Sequence, residues 1–111
     1  MANVDYVIVG AGPSPADVTQ AVQTAPSVVQ VEKERRYTRL RTGDERAEVS
    51  VWPRSWQPGV TVVEVYHVDD DDQRALARHI YDYLVDHTAW DLTLDSDNAA
   101  EAIASRVKTR T

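Results

Sequence analysis

Residues 27–52 read SVVQVEKERRYTRLRTGDERAEVSVW, and this stretch decides the fold class. Neither Pro nor Gly interrupts residues 27–41, and polar and apolar positions alternate weakly along them. The pattern predicts one long or bulged strand. Thr42-Gly43-Asp44 is turn chemistry, and a second strand is expected near 46–52. After a loop from Pro53 to Gly59, Val60–Val68 places Val or Tyr at six of nine positions, the strongest strand signal in the chain. Successive strands with no helix between them predict an antiparallel meander and break the strict alternation of a doubly wound sheet.

Working outward, residues 4–9 form an apolar run ended by Gly10-Ala11-Gly12-Pro13, which reads as a buried strand and a turn. Ser14 suits an N-cap, Pro15 the first helical position, and Asp17 the positive end of the helix dipole. Val18, Ala21 and Val22 recur at helical spacing until Pro26. Beyond the meander, Asp69 to Asp72 lead into a helix over roughly 72–87, with Leu76, Ile80, Tyr83, Leu84 and His87 on one stripe. Trp90, Leu92 and Leu94 alternate with Asp91, Thr93 and Asp95, the pattern of a half-buried strand. Ser96 or Asp97 is expected to cap a last helix with the stripe Ala100, Ile103, Ala104 and Val107, and residues 107–111 to fray. The predicted order is β-α-β-β-β-α-β-α. This is an α+β domain over residues 1–111, with a mixed, mostly antiparallel sheet of about five strands and two or three helices.

A chain of 111 residues suits one core. The absence of Cys excludes disulfides, thiolate metal sites and thiol catalysis. No apolar run reaches the roughly 18–20 residues of a membrane span, and no basic-then-apolar signal opens the chain, so a soluble cytoplasmic protein is expected. The net charge of −6 is unevenly spread. Residues 1–55 carry seven basic and seven acidic groups, whereas residues 56–111 carry five and eleven. Such a two-signed molecule suits a charge-complementary protein partner.

Asp5-Tyr6-Val7-Ile8-Val9-Gly10-Ala11-Gly12-Pro13-Ser14 resembles the opening of flavin-dependent oxidoreductases with a dinucleotide-binding fold. Val29-Gln30-Val31-Glu32-Lys33 then falls where that family's second strand ends in a ribose-binding acid. The resemblance implies that Gly10 and Gly12 face a pyrophosphate at the N-terminus of the helix begun by Ser14, with Glu32 on a ribose. It covers about 30 residues, a generic strand–turn–helix opening. Pro15 stands where the third glycine belongs, and 111 residues cannot hold a flavin domain with a substrate site. No cofactor is therefore expected, and a nucleotide or phosphate at this turn stays as the alternative.

Four other features invite chemistry. On one extended strand Lys33, Arg35, Tyr37, Arg39 and Arg41 share a face, which suits an acidic protein surface or, less well for an acidic chain, single-stranded nucleic acid. Asp69 to Asp72 lack the glycine and the terminal Glu of a calcium loop, so capping by Asp71 and Asp72 explains them and no metal is expected. His67 with Asp69 or Asp70 is the one arrangement suited to acid–base work, yet no nucleophile motif accompanies it. His79 and His87 lie eight residues apart on one helix, nearly on one face. Trp52, Pro53, Arg54, Trp56 and Pro58 make a rigid aromatic loop, with Trp56 a contact residue and Trp52 equally suited to closing the core. The expected function is non-enzymatic protein binding, in the manner of a toxin-neutralising immunity protein or a small regulatory subunit. The expected contact residues are Arg35, Tyr37, Arg39, Arg41, Arg54, Trp56, Asp69 and Asp70, with no membrane partner.

Overall fold

The structure is a computed structural model that describes residues 4–10, 12–25, 28–34, 36–43, 45–54, 57, 59–97 and 102–106. The elements in chain order are β1 (Asp5–Val9), α1 (Pro15–Gln23), β2 (Val28–Lys33), β3 (Thr38–Thr42), β4 (Ala47–Pro53), β5 (Thr61–His67), α2 (Asp70–His87), β6 (Leu92–Ser96) and β7 (Ala104–Arg106). The strands make one sheet in the order β2-β3-β4-β5-β1-β6-β7. Every neighbouring pair is antiparallel, so the α+β class holds and the sheet is fully antiparallel rather than mixed.

Alternation along the strands assigns their faces. Val7 pairs with Val63 and Leu94, Val49 with Val65 and Leu40, and all of these are buried. Both helices lie on that face. Val18 and Val22 of α1, and Ala77, Ile80, Tyr81 and Leu84 of α2, close the core over it. Each of the Val, Ile and Leu side chains among them is worth about 1.5–3 kcal/mol of burial. Among the described residues no helix is long and apolar enough to cross a membrane.

The meander from β2 to β5 is the expected one, with a correction at its start. Residues 27–41 are not one strand. The chain reverses between β2 and β3, where the Glu34 amide donates to the Tyr37 carbonyl at 2.9 Å. A 15-residue strand would run about 50 Å, beyond the 41 Å longest extent of the molecule. The hairpin instead aligns Val31, Leu40 and Val49 across three strands. A second correction falls at the C-terminus. The expected last helix is replaced by β7, whose Ala104 pairs with Leu94. Ala100 and Val107 of its stripe lie outside the described residues.

Arg106 supplies a reason for the strand. From β7 its guanidinium donates to the carbonyls of Val85, Thr88 and Trp90 at 2.8–3.2 Å, satisfying acceptors at and beyond the end of α2. At the other end of α2 the N-cap is Asp69, whose carboxylate accepts from the Asp72 amide at 3.0 Å, and the helix begins at Asp70. The expected caps, Asp71 and Asp72, thus sit in the first turn and complement the dipole.

Candidate functional site

Three regions collect the candidate residues, and the bonds each side chain already makes separate them. The first is the glycine turn after β1. The Gly10 amide donates to the Asp91 carbonyl at 2.9 Å, and a Cβ at Gly10 would stand 3.0 Å from that of Asp91. Close packing against the entry to β6 therefore requires Gly10. Gly12 has a φ of 134°, a conformation open to glycine. Ser14 caps α1 as expected, in a full capping box: its Oγ accepts from the Asp17 amide, and Asp17 accepts from the Ser14 amide, both at 3.1 Å. The Ser14 and Asp17 amides are thus engaged, and the Asp17 carboxylate already stands at the positive end of the helix. Glu32 is on edge strand β2, separated from β1 in the sheet by β3, β4 and β5, so it does not join Gly10, Gly12 and Ser14 in one site. An open cleft of about 760 Å³ beside the turn is lined by Asp17, His87, Trp90 and Asp91 among others, with no Lys or Arg among the described residues.

The second region lies beneath the start of α2. Asp5, 1% exposed, accepts from Gln73 Nε2 at 3.1 Å, Ser96 Oγ at 2.6 Å and Arg74 Nε at 2.7 Å. Gln73 Oε1 accepts the His67 amide at 3.0 Å. The buried His67 ring accepts the Asp69 amide at Nδ1 (2.9 Å), and its Nε2 stands 3.9 Å from Asp72 Oδ2. These bonds make His67 part of the frame that starts α2. Among the described residues no group of three or more His, Cys, Asp or Glu is placed to hold a metal. On α2, His79 is exposed, and His87 stacks on Tyr83 with ring centroids 4.0 Å apart.

The third region is the sheet face that the helices leave uncovered. Register places Glu32, Arg39, Ser50, Glu64, Tyr6 and Asp95 in one row across six strands. Beside it runs an apolar row, Trp52, Val62 and Ile8, continuing to Thr93. Tyr66 faces outward opposite Glu48. Most of these side chains are half-buried, and among the described residues no second layer covers them.

Tyr37, Arg39 and Arg41 come together here, but the hairpin turns Lys33, opposite Thr38, to the other face. Tyr37 and Trp52 stack at 4.3 Å and 13°, so Trp52 belongs to the open face and does not close the core. Trp52 Nε1 donates to Ser50 Oγ at 2.9 Å. Arg39 donates to the Tyr37 hydroxyl at 2.9 Å and pairs with Glu48 at 3.1 Å. That hydroxyl and then Glu48 raise its pKa further. Arg41 pairs with Glu32 at 3.0 Å. Arg54 follows β4, and its charge reaches Tyr6. Asp69 and Asp70 lie at the start of α2, away from this row. Arg35 and Trp56 lie outside the described residues.

The strands β5, β1 and β6 carry what reading for motifs passes over: Glu64, Tyr6, Asp95 and Tyr66. Burial raises the Glu64 carboxyl above the usual carboxylate range, reinforced by Asp97 and Glu48. Burial likewise raises the Tyr6 phenol, helped by Asp95 and Asp97. The signal in the sequence is the second half of each alternation, where outward positions hold Tyr6, Ile8, Val62 and Tyr66. The chain matches no family model, no curated protein and no solved structure, so the face is read from its own geometry.

Proposed function

We propose that this chain is a non-enzymatic cytoplasmic binding module that engages another protein through the open face of its sheet. In kind it is closest to an immunity protein or a small regulatory subunit. One observation carries the reading. Both helices cover the same face, while the other presents Tyr6, Ile8, Trp52, Val62 and Tyr66 only half-buried. Aromatic residues with Arg at a polar-rimmed apolar patch are the composition of interface centres. A nucleotide at the glycine turn is disfavoured by the closed capping box, and nucleic acid by the pairing of Arg39 and Arg41 with carboxylates.

The test is capture of native partners by the tagged full chain, compared with two double variants. Ile8→Asp with Val62→Asp, on the open face, is expected to abolish capture while circular dichroism stays native. Arg78→Glu with His79→Glu, on the exposed side of α2, is expected to leave it intact. Equal capture by all three proteins would remove the basis of the reading.

A further inference from the structure

Resting on that reading, we infer that the β5–β1–β6 half of the open face receives a basic segment of the partner protein, in which Arg or Lys is flanked by apolar residues. The naive reading of the charge points the other way, because the meander holds the Arg-rich stretch. The bonds reverse it. Arg39 is held by Tyr37 and Glu48, and Arg41 by Glu32, so these cations are already matched within their own half.

In the opposite half Asp95 accepts the Ser96 amide and Asp97 the Val4 amide, and one carboxylate stays unmatched. Glu64 is half-buried at the centre of that half, and its carboxylate has no hydrogen-bond or ion-pair partner among the described residues. Its register neighbours are Ser50 and Tyr6, with Asp95 beyond Tyr6. Asp97 adds its charge to Glu64 and Tyr6 alike. A half-desolvated carboxylate without a donor costs free energy that an incoming guanidinium or ammonium returns as a charge-assisted bond. The apolar row of Trp52, Val62 and Ile8 lies immediately beside it, so a complementary occupant presents a cation and apolar side chains together. A free amine meets only half of that, a nucleic acid meets repulsion, and a second copy brings an Arg39 and an Arg41 already committed. Three strands by five residues make a patch of about 14 by 17 Å, the footprint of a short extended segment.

The experiment is a titration of the isotope-labelled full chain, followed by amide shifts, with a capped hexapeptide alternating Arg and Val as probe. Thymidine oligonucleotide and self-dilution series run in parallel. Peptide-induced shifts are expected at Tyr6, Ile8, Val62, Glu64 and Asp95. Glu64→Gln is expected to weaken the peptide about tenfold, the scale of one charge-assisted bond. Asp71→Asn is expected to change nothing.

Asp69–Asp72 is the denser acidic cluster, so shifts concentrated there would mark mere charge attraction and overturn the inference. Absence of peptide binding at millimolar concentration, shifts on the open face from oligonucleotide, or concentration-dependent shifts at Glu64 from self-association would also overturn it. So would open-face binding indifferent to Glu64→Gln. That last result removes the cation at Glu64 and leaves the open-face reading standing, because the capture experiment judges the face independently.

Discussion

Asp5 and Glu64 sit on neighbouring strands, on opposite faces of one sheet, and have opposite fates. Asp5 is 1% exposed and accepts from Gln73, Ser96 and Arg74. Glu64 is half-buried, and its carboxylate accepts from nothing among the described residues. They differ in burial, and more decisively in the donors the fold supplies. A carboxylate taken wholly out of water is tolerated because the fold supplies its bonds, and such a group is structural. A carboxylate taken partly out of water without those bonds keeps an interaction in reserve.

The contrast breaks most visibly at Asp5. Asp5→Ala leaves the buried Gln73 amide and Ser96 hydroxyl without their acceptor, while Arg74 turns to solvent. Orphaned buried donors cost about 1–3 kcal/mol each, so urea unfolding is expected to show a loss of about 2–4 kcal/mol. A loss under 1 kcal/mol would mean that Asp5 is as dispensable to folding as Glu64, and the contrast would fail. Arg106→Met comes next. It keeps the aliphatic stem and removes the donors that close the carbonyls of Val85, Thr88 and Trp90, at an expected cost of about 1–3 kcal/mol. Hydrogen exchange should then accelerate first in the last turn of α2; uniform acceleration along the helix would contradict a local capping role.

The covered face is the more legible of the two in the sequence. Val7, Val9, Val63, Val65, Leu92 and Leu94 follow a period of two, Ser14 and Pro15 announce α1, and Gly43 marks the β3–β4 turn. These are local signals, and the α+β class follows from them. What failed was non-local. The reversal at Glu34–Tyr37 carries neither Gly nor Pro, and the register of Leu40 against Val31 and Val49 decides it. At the C-terminus, Ile103 and Ala104 fit a helical stripe, but pairing with β6 and the needs of α2's last carbonyls draw Arg106 into a strand. Tyr37, Arg39 and Arg41 were legible as a group because alternation places them together. Their neutralisation by Glu48 and Glu32 was not, since those acids arrive from adjacent strands.

The smallest expected effect is the sharpest test of the reserve assigned to Glu64. Its pKa is raised in the folded chain, first by burial and then by Asp97 and Glu48, so folding favours the protonated form. The stability contributed by that preference is complete below the unfolded pKa and is lost as pH rises through the folded one. Above the raised pKa the ionised group is disfavoured, and there Glu64→Gln is expected to raise the melting temperature by about 1–2 °C. The effect stays small because solvent still reaches the side chain and screens it, leaving a few tenths of a kcal/mol. As pH falls through the raised folded pKa the two melting curves should converge, because protonation gives the wild-type residue the neutrality that Gln carries throughout. Destabilisation by Glu64→Gln at pH 7 would show that the fold uses the charge, placing Glu64 beside Asp5 as structural. A variant equal or higher in stability that loses the basic peptide would leave the two carboxylates as different in function as they are in their bonds.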